Sequence, residues 1–245
     1  KKKVKKPYRK ATLTRYEINK AVKAVVNRGQ ETKHSGIDET EYVFESNYAM
    51  STPINLAQAM NISNGTTDGA RVGNNINVTK ATLNIVARRN NTSASRFPAE
   101  IHVFIGYVKQ DRSTIPGAHH LNRLYEDGAA ALPWNGSQLR TLRAINKTIF
   151  TMTNKLVFKV GSSDSFSVQQ NNNDFSLIHR AKVELKAMHG KVIYGDDGQP
   201  ADHNKDLWMF ASYCYIDDNT DNLIDNPTSK PVDLLYFVDL QYKDA

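Results

Sequence analysis

Pro231-Val232-Asp233-Leu234-Leu235-Tyr236-Phe237-Val238-Asp239-Leu240-Gln241-Tyr242 places Val232, Leu234, Tyr236, Val238, Leu240 and Tyr242 at every second position. Side chains on an extended chain point alternately to opposite faces, so this period marks a strand with one face buried. The same period recurs upstream. Ala81, Leu83, Ile85 and Ala87 alternate with Thr82, Asn84 and Arg88, and Ile101, Val103, Ile105 and Tyr107 follow the same rule. Leu156, Phe158 and Val160 make a further run, as do Val183, Leu185 and Ala187, and then Leu207, Met209, Ala211, Tyr213 and Tyr215. Weaker runs lie at Tyr42 to Tyr48 and Ala144 to Met152. About eight strands are predicted, a number that suits a sandwich or jelly roll. The segments between them are rich in Asn, Asp, Ser, Thr and Gly: Asn61 to Asn75, Asn90 to Ser95, Ser162 to Asp174, Gly195 to Asn204 and Asp217 to Ser229. Long loops of this kind on a β domain carry surface contacts. His119 to Ala131 is predicted to be a short helix, and no repeat or linker divides the body.

The body accounts for residues 34–245, and the thirty-three residues before it have a different composition. Of 245 residues, 40% are hydrophobic and 23% charged, the balance of a globular chain. The formal net charge is +7, from 32 Lys/Arg and 25 Asp/Glu. Residues 1–33 hold twelve Lys/Arg and two acids, which is +10; the remaining 20 bases and 23 acids leave the body at −3. The positive excess lies wholly in the first segment, so an arm for a polyanion is expected there. No run of about 18 apolar residues is present to span a membrane as a helix, and the basic start has no apolar stretch behind it to read as a signal peptide.

The arm has two parts. Lys1, Lys2, Lys3, Lys5, Lys6, Arg9 and Lys10 repel one another, and Pro7 among them opposes a helix, so this part is expected to be extended. From about 14 to 28 a short amphipathic helix is predicted. Thr14 and Glu17 have capping-box spacing, with Leu13 and Ile18 placed to staple the helix start. Ile18, Val22, Val25 and Val26 form one apolar stripe, and Gly29 stands where the helix should stop. Arg15, Lys20, Lys23 and Arg28 supply its charge. A helix this short is marginal alone, so the stripe calls for a partner. An anionic membrane surface, a solvated charged face and nucleic-acid phosphates are the competing roles. Phosphate neutralisation with counterion release accounts for both the helix and the Lys run ahead of it. The Lys cluster also has the form of a nuclear-import signal.

The sequence carries no phosphate loop, nucleophile elbow or zinc-protease helix. Cys214 is the only cysteine, which excludes an internal disulfide, and its apolar neighbours make it a buried strand residue. His119 and His120 are adjacent, a spacing unsuited to shared ligation, and read as surface residues. Asp217, Asp218, Asp221 and Asp225 lack the glycine of a calcium-binding helix-loop-helix, so they read as a solvated loop, as do Asp196, Asp197, Asp202 and Asp206. The chain reads as non-catalytic, with no cofactor.

Arg71-Val72-Gly73-Asn74-Asn75-Ile76 leads into Lys80-Ala81-Thr82-Leu83-Asn84-Ile85. With a basic arm, an arm helix and an eight-strand body, this step resembles the single jelly-roll coat proteins of small icosahedral viruses. Satellite tobacco necrosis virus and the circular Rep-encoding single-stranded DNA viruses (circovirus-like) are similar in this respect. Ile101 to Tyr107 and Arg143-Ala144-Ile145-Asn146-Lys147-Thr148-Ile149 fall where their next strands come, and Tyr236 to Ala245 is similar to the last strand and tail of the satellite coat. The resemblance implies an eight-stranded all-β jelly roll of two packed antiparallel sheets, self-assembling into a shell of about sixty copies. It implies an arm lining the inside of the virion on single-stranded nucleic acid, DNA rather than RNA, with assembly in the host nucleus. It also implies a calcium ligand at Asp244. The alternatives are a cellular oligomeric β-sandwich that binds nucleic acid or acts as a chaperone, and a jelly-roll lectin stacking sugars on Trp134 or Trp208.

Overall fold

The computed structural model describes residues 14–19, 22, 31–44, 50–67, 69–90, 98–126, 142–161, 178–195, 198–215 and 232–245. The chain divides into two compact units, Lys1–Thr32 and Lys33–Ala245. The second unit contains, among the described residues, nine strands: β1 Lys33–Tyr42, β2 Ile54–Asn55, β3 Asn75–Arg89, β4 Ala99–Val108, β5 Phe150–Val160, β6 Ile178–Glu184, β7 Gly190–Ile193, β8 Trp208–Tyr215 and β9 Val232–Asp244. They build sheet A, in the order β1-β9-β3-β6 with β7 also on β3, and sheet B, in the order β2-β8-β4-β5. All pairings are antiparallel.

Without β7 the pairing is nested. The first strand pairs with the last, the second with β8, the third with β6 and the fourth with β5. One long two-limbed hairpin, wrapped around its own apolar side, yields this order, and the wrapped hairpin is the eight-stranded jelly roll. The chain is thus all-β, with two packed antiparallel sheets.

The alternating runs of the sequence become the inner lining. On sheet A, Ala81, Leu83, Ile85 and Ala87 of β3 and Leu234, Tyr236, Val238 and Leu240 of β9 are buried. Paired in register, Leu83 faces Val238 and Ile85 faces Tyr236. On sheet B, Ile101, Val103 and Ile105 stand beside Tyr213, Ala211 and Met209. The Tyr42 hydroxyl of β1 accepts a hydrogen bond from the Ala211 N–H at 2.9 Å, which ties the two sheets together.

Sheet B departs from simple alternation. Its other face, Glu100, His102 and Phe104 of β4 with Cys214, Ser212 and Phe210 of β8, is buried as well. The Phe104 and Phe210 rings stack at 5.5 Å, and Phe150 meets Phe210 at 5.9 Å. At the β4–β5 irregularity, a Cβ on Gly106 would lie 2.5 Å from the Thr151 carbonyl oxygen, so the bulge requires glycine.

Three strands were not predicted. β1 is polar at most positions and contains only Ile37 and Tyr42 as large apolar residues, which is what an edge strand shows. β2 has two residues, and β7 has four, both below the length at which a period is visible. Other boundaries shift for local reasons. The strand expected from Ala144 begins at Phe150, because the Asn146 carbonyl accepts from the Phe150 N–H and its side chain accepts from Thr148, forming a turn. The run Val183, Leu185 and Ala187 leaves the strand at Glu184, where a 3-10 turn, Lys186–Met188, buries Met188. The helix expected at His119 to Ala131 spans Ala118–Leu121, and residues 127–131 lie outside the described residues.

Candidate nucleic-acid interface and two buried polar clusters

In the arm unit, residues 15–19 and 22 are helical. The capping box is formed on both sides. The Thr14 N–H donates to Glu17 Oε2 at 2.7 Å, and the Glu17 N–H donates to Thr14 Oγ1 at 3.3 Å. These bonds from Thr14 hold the Glu17 carboxyl below its ordinary pKa. Ile18 and Val22, the described part of the stripe, are 47% and 55% exposed, and no other described residue of this unit covers them. Arg15 is exposed at the helix start. Lys1, Lys2, Lys3, Lys5, Lys6, Arg9, Lys10, Lys20, Lys23 and Arg28 lie outside the described residues, as do Leu13, Val25, Val26 and Gly29.

Lys33, counted above with the arm, opens β1. Its ammonium sits 2.9 Å from Asp244 Oδ2 and donates to the Ala70 carbonyl at 2.7 Å. The other Asp244 oxygen accepts from the Val72 N–H at 2.9 Å. Both oxygens of the one carboxylate expected to bind calcium therefore face donors within the chain.

Next to this pair lies Arg71, 1% exposed. Its guanidinium donates to the carbonyls of Ile62 at 3.0 Å and Gly195 at 3.4 Å, and also to that of Gly73. It lies 4.3 Å above the Tyr194 ring, whose hydroxyl donates to the Met60 carbonyl at 2.9 Å. Burial raises the Tyr194 pKa, keeping the phenol protonated and a donor. Gly73 takes φ +83°, which turns its carbonyl toward Arg71. The Arg-x-Gly-Asn step is thus a clamp that fastens the 62–74 loop to β9 and to the segment after β7.

A second buried cluster lies on the outward side of sheet B. Glu100 and Cys214 are direct cross-strand partners, and His102 is two residues along β4 on the same face. His102 Nε2 is 3.2 Å from Glu100 Oε2, and Lys159 Nζ is 3.6 Å from Oε1. The His102 hydrogen bond, followed by the charges of His102 and Lys159, holds the Glu100 carboxyl below its usual range against the opposing effect of burial. Burial pushes the Cys214 thiol up to about 12, helped by the Glu100 charge. Cys214 is buried in β8 as expected, but Glu100 and His102 were not singled out in the sequence. The signal available was two ionisable residues, spaced two apart, in an otherwise apolar strand.

Other candidates resolve plainly. His119 is exposed and His120 half-buried on the short helix, their rings 5.0 Å apart. Asp202 accepts from the Asn204 N–H at 3.2 Å within a surface turn. Asp206, expected in a solvated loop, is instead buried, with His203 Nδ1 2.8 Å from its carboxylate. Asp196, Asp197, Asp217, Asp218, Asp221 and Asp225 lie outside the described residues, as does Trp134. Trp208 is buried and donates to the Arg112 carbonyl at 2.9 Å, which removes it as an exposed sugar platform.

No protein-family model matches the chain, and no curated protein matches it. Similar solved structures include a chain of turnip yellow mosaic virus, at 10% identity and TM-score 0.37, covering 88% of this chain and 94% of that one. Another is desmodium yellow mottle tymovirus, at 8% identity and TM-score 0.41, covering 88% of this chain and 82% of that one.

Proposed function

We propose that this chain is the coat protein of a small icosahedral virus, its jelly roll forming the shell and its basic arm binding a packaged single-stranded genome. The carrying observation is the division of charge. Moving Lys33 to the body, where it opens β1, leaves residues 1–32 with eleven bases and two acids, +9, and residues 33–245 with 21 bases and 23 acids, −2. A jelly roll with a slightly acidic body has no general affinity for phosphate, whereas a preceding segment of this charge does. The nested strand order supports the shell role by analogy of fold, and the exposed Ile18 and Val22 supply a stripe through which arm helices can bundle between copies.

Contacts from flexible Lys and Arg side chains go to phosphates and not to base edges, so binding is independent of sequence. The genome is DNA in this reading, the shell has about sixty copies, and the Lys run doubles as a nuclear-import signal. Deleting residues 1–32 tests the arm's share. The purified full chain is expected to carry nuclease-protected nucleic acid, digested after disruption by DNase and not by RNase. The deleted form is expected to fold and to lose that nucleic acid. Unchanged nucleic-acid content after deletion contradicts the assignment.

A further inference from the structure

The geometry points to a zinc-class metal site formed by Glu100, His102 and Cys214, bridging β4 and β8 of sheet B. One ligand atom from each residue, a carboxylate oxygen, an imidazole nitrogen and the thiol sulfur, lies within 4.8 Å of the other two. All three residues are buried. The placement follows from register: Glu100 pairs directly with Cys214, and the period of two puts His102 on the same face. Two antiparallel strands hold the set, so its geometry is fixed by the ladder and not by a loop.

The donor chemistry selects the ion. A thiolate and an imidazole favour Zn²⁺ and the neighbouring transition ions over Ca²⁺ and Mg²⁺, which take oxygen donors. Charge agrees. A dication with one carboxylate and one thiolate is neutral, which suits a buried set flanked by the Phe104 ring, 6.5 Å from His102, with the Lys159 ammonium at its exposed edge. On binding, the Cys214 S–H bond breaks, its proton leaves to solvent and the sulfur bonds the metal. The neutral His102 ring exchanges the Nε2 proton that faces Glu100 in the empty site for one on Nδ1, through solvent and with no net proton change. The freed Nε2 lone pair and the Glu100 oxygen then bond the one ion. Glu100 binds through one oxygen while the other keeps Lys159, the outer partner that orients it. Three protein ligands leave one tetrahedral position for water. Because the ligands join two adjacent strands of the folded sheet, the ion stabilises the native state. This site stands independently of the proposed coat function.

Titration of the reduced, full-length protein with Co²⁺ tests it. One equivalent is expected to bind with a thiolate-to-metal charge-transfer band in the near ultraviolet and tetrahedral bands in the visible. Zn²⁺ is expected to abolish these bands, to release a proton and to raise Tm by several degrees. Cys214→Ala should remove the charge-transfer band and the Tm rise while the protein stays folded, since a small apolar residue fits that position. Glu100→Gln, which keeps the shape, should weaken Co²⁺ binding at least tenfold. Absence of a thiolate band at stoichiometric Co²⁺ overturns the assignment, and so does a band that persists in Cys214→Ala.

Discussion

The arm and the jelly roll use their residues in opposite ways. In the arm unit the described apolar side chains, Tyr16, Ile18 and Val22, are 75%, 47% and 55% exposed, and a local capping box closes the helix start. In the second unit, a buried apolar cluster runs from Tyr42 to Tyr242, and even charged residues such as Arg71 are enclosed. The described part of one unit exposes Arg15, Ile18 and Val22, whereas the other encloses its apolar residues in a packed core. Folding and polyanion binding should therefore be separable by mutation, and each substitution below should affect one unit and leave the other intact.

The largest effect is expected from replacing Lys1, Lys2, Lys3, Lys5, Lys6, Arg9 and Lys10 with Gln. For single strands each phosphate contact contributes about −0.7 to the slope of log affinity against log salt. Loss of seven such contacts flattens that slope by roughly five units, read by fluorescence anisotropy of a labelled oligonucleotide across salt, while Tm of the body stays unchanged. Phe210→Ala is expected to do the reverse. It empties the outward face of sheet B between Phe104 and Phe150 and should cost the body about 3–5 kcal/mol in denaturant unfolding, without altering the salt slope.

Arg71→Met should cost somewhat less, on the order of 3 kcal/mol, because the buried carbonyls of Ile62, Gly73 and Gly195 lose their donor. Loosening should concentrate in the 62–74 loop, measurable as faster hydrogen exchange there than in β3. The smallest effect belongs to Thr14→Ala. It removes the hydroxyl of the capping box and should lower the helicity of the arm by circular dichroism of the free chain, with no change in body Tm.

The sequence made the strands with long alternating runs legible, since β3, β8 and β9 each bury one continuous face across several residues. It hid β1, because an edge strand needs few apolar side chains, and β7, because four residues hold no readable period. It also hid the second buried face of sheet B. Glu100, His102 and Ser212 are polar types, and alternation assigns them to solvent, yet they are enclosed in the fold. For the same reason Arg71 was legible as part of the Arg-x-Gly-Asn step, but its burial was not. Asp206 was misassigned because an acidic residue in a Gly-, Asp- and Asn-rich segment reads as solvated, whereas it is buried with His203 Nδ1 2.8 Å from its carboxylate. In the arm, the capping box was readable from Thr14 and Glu17 because it is a purely local device. Most of what escaped was non-local, in ladder register and the polar groups it brings together, with the His203–Asp206 contact as a local exception.

The most direct test of the central claim is electron microscopy of the purified full-length chain, with light scattering on the same sample. Closed particles roughly 200 Å across, the size expected if a jelly roll of this kind tiles a shell of about sixty copies, are predicted. A monomer or dimer at every salt concentration, with or without added single-stranded DNA, would contradict the account.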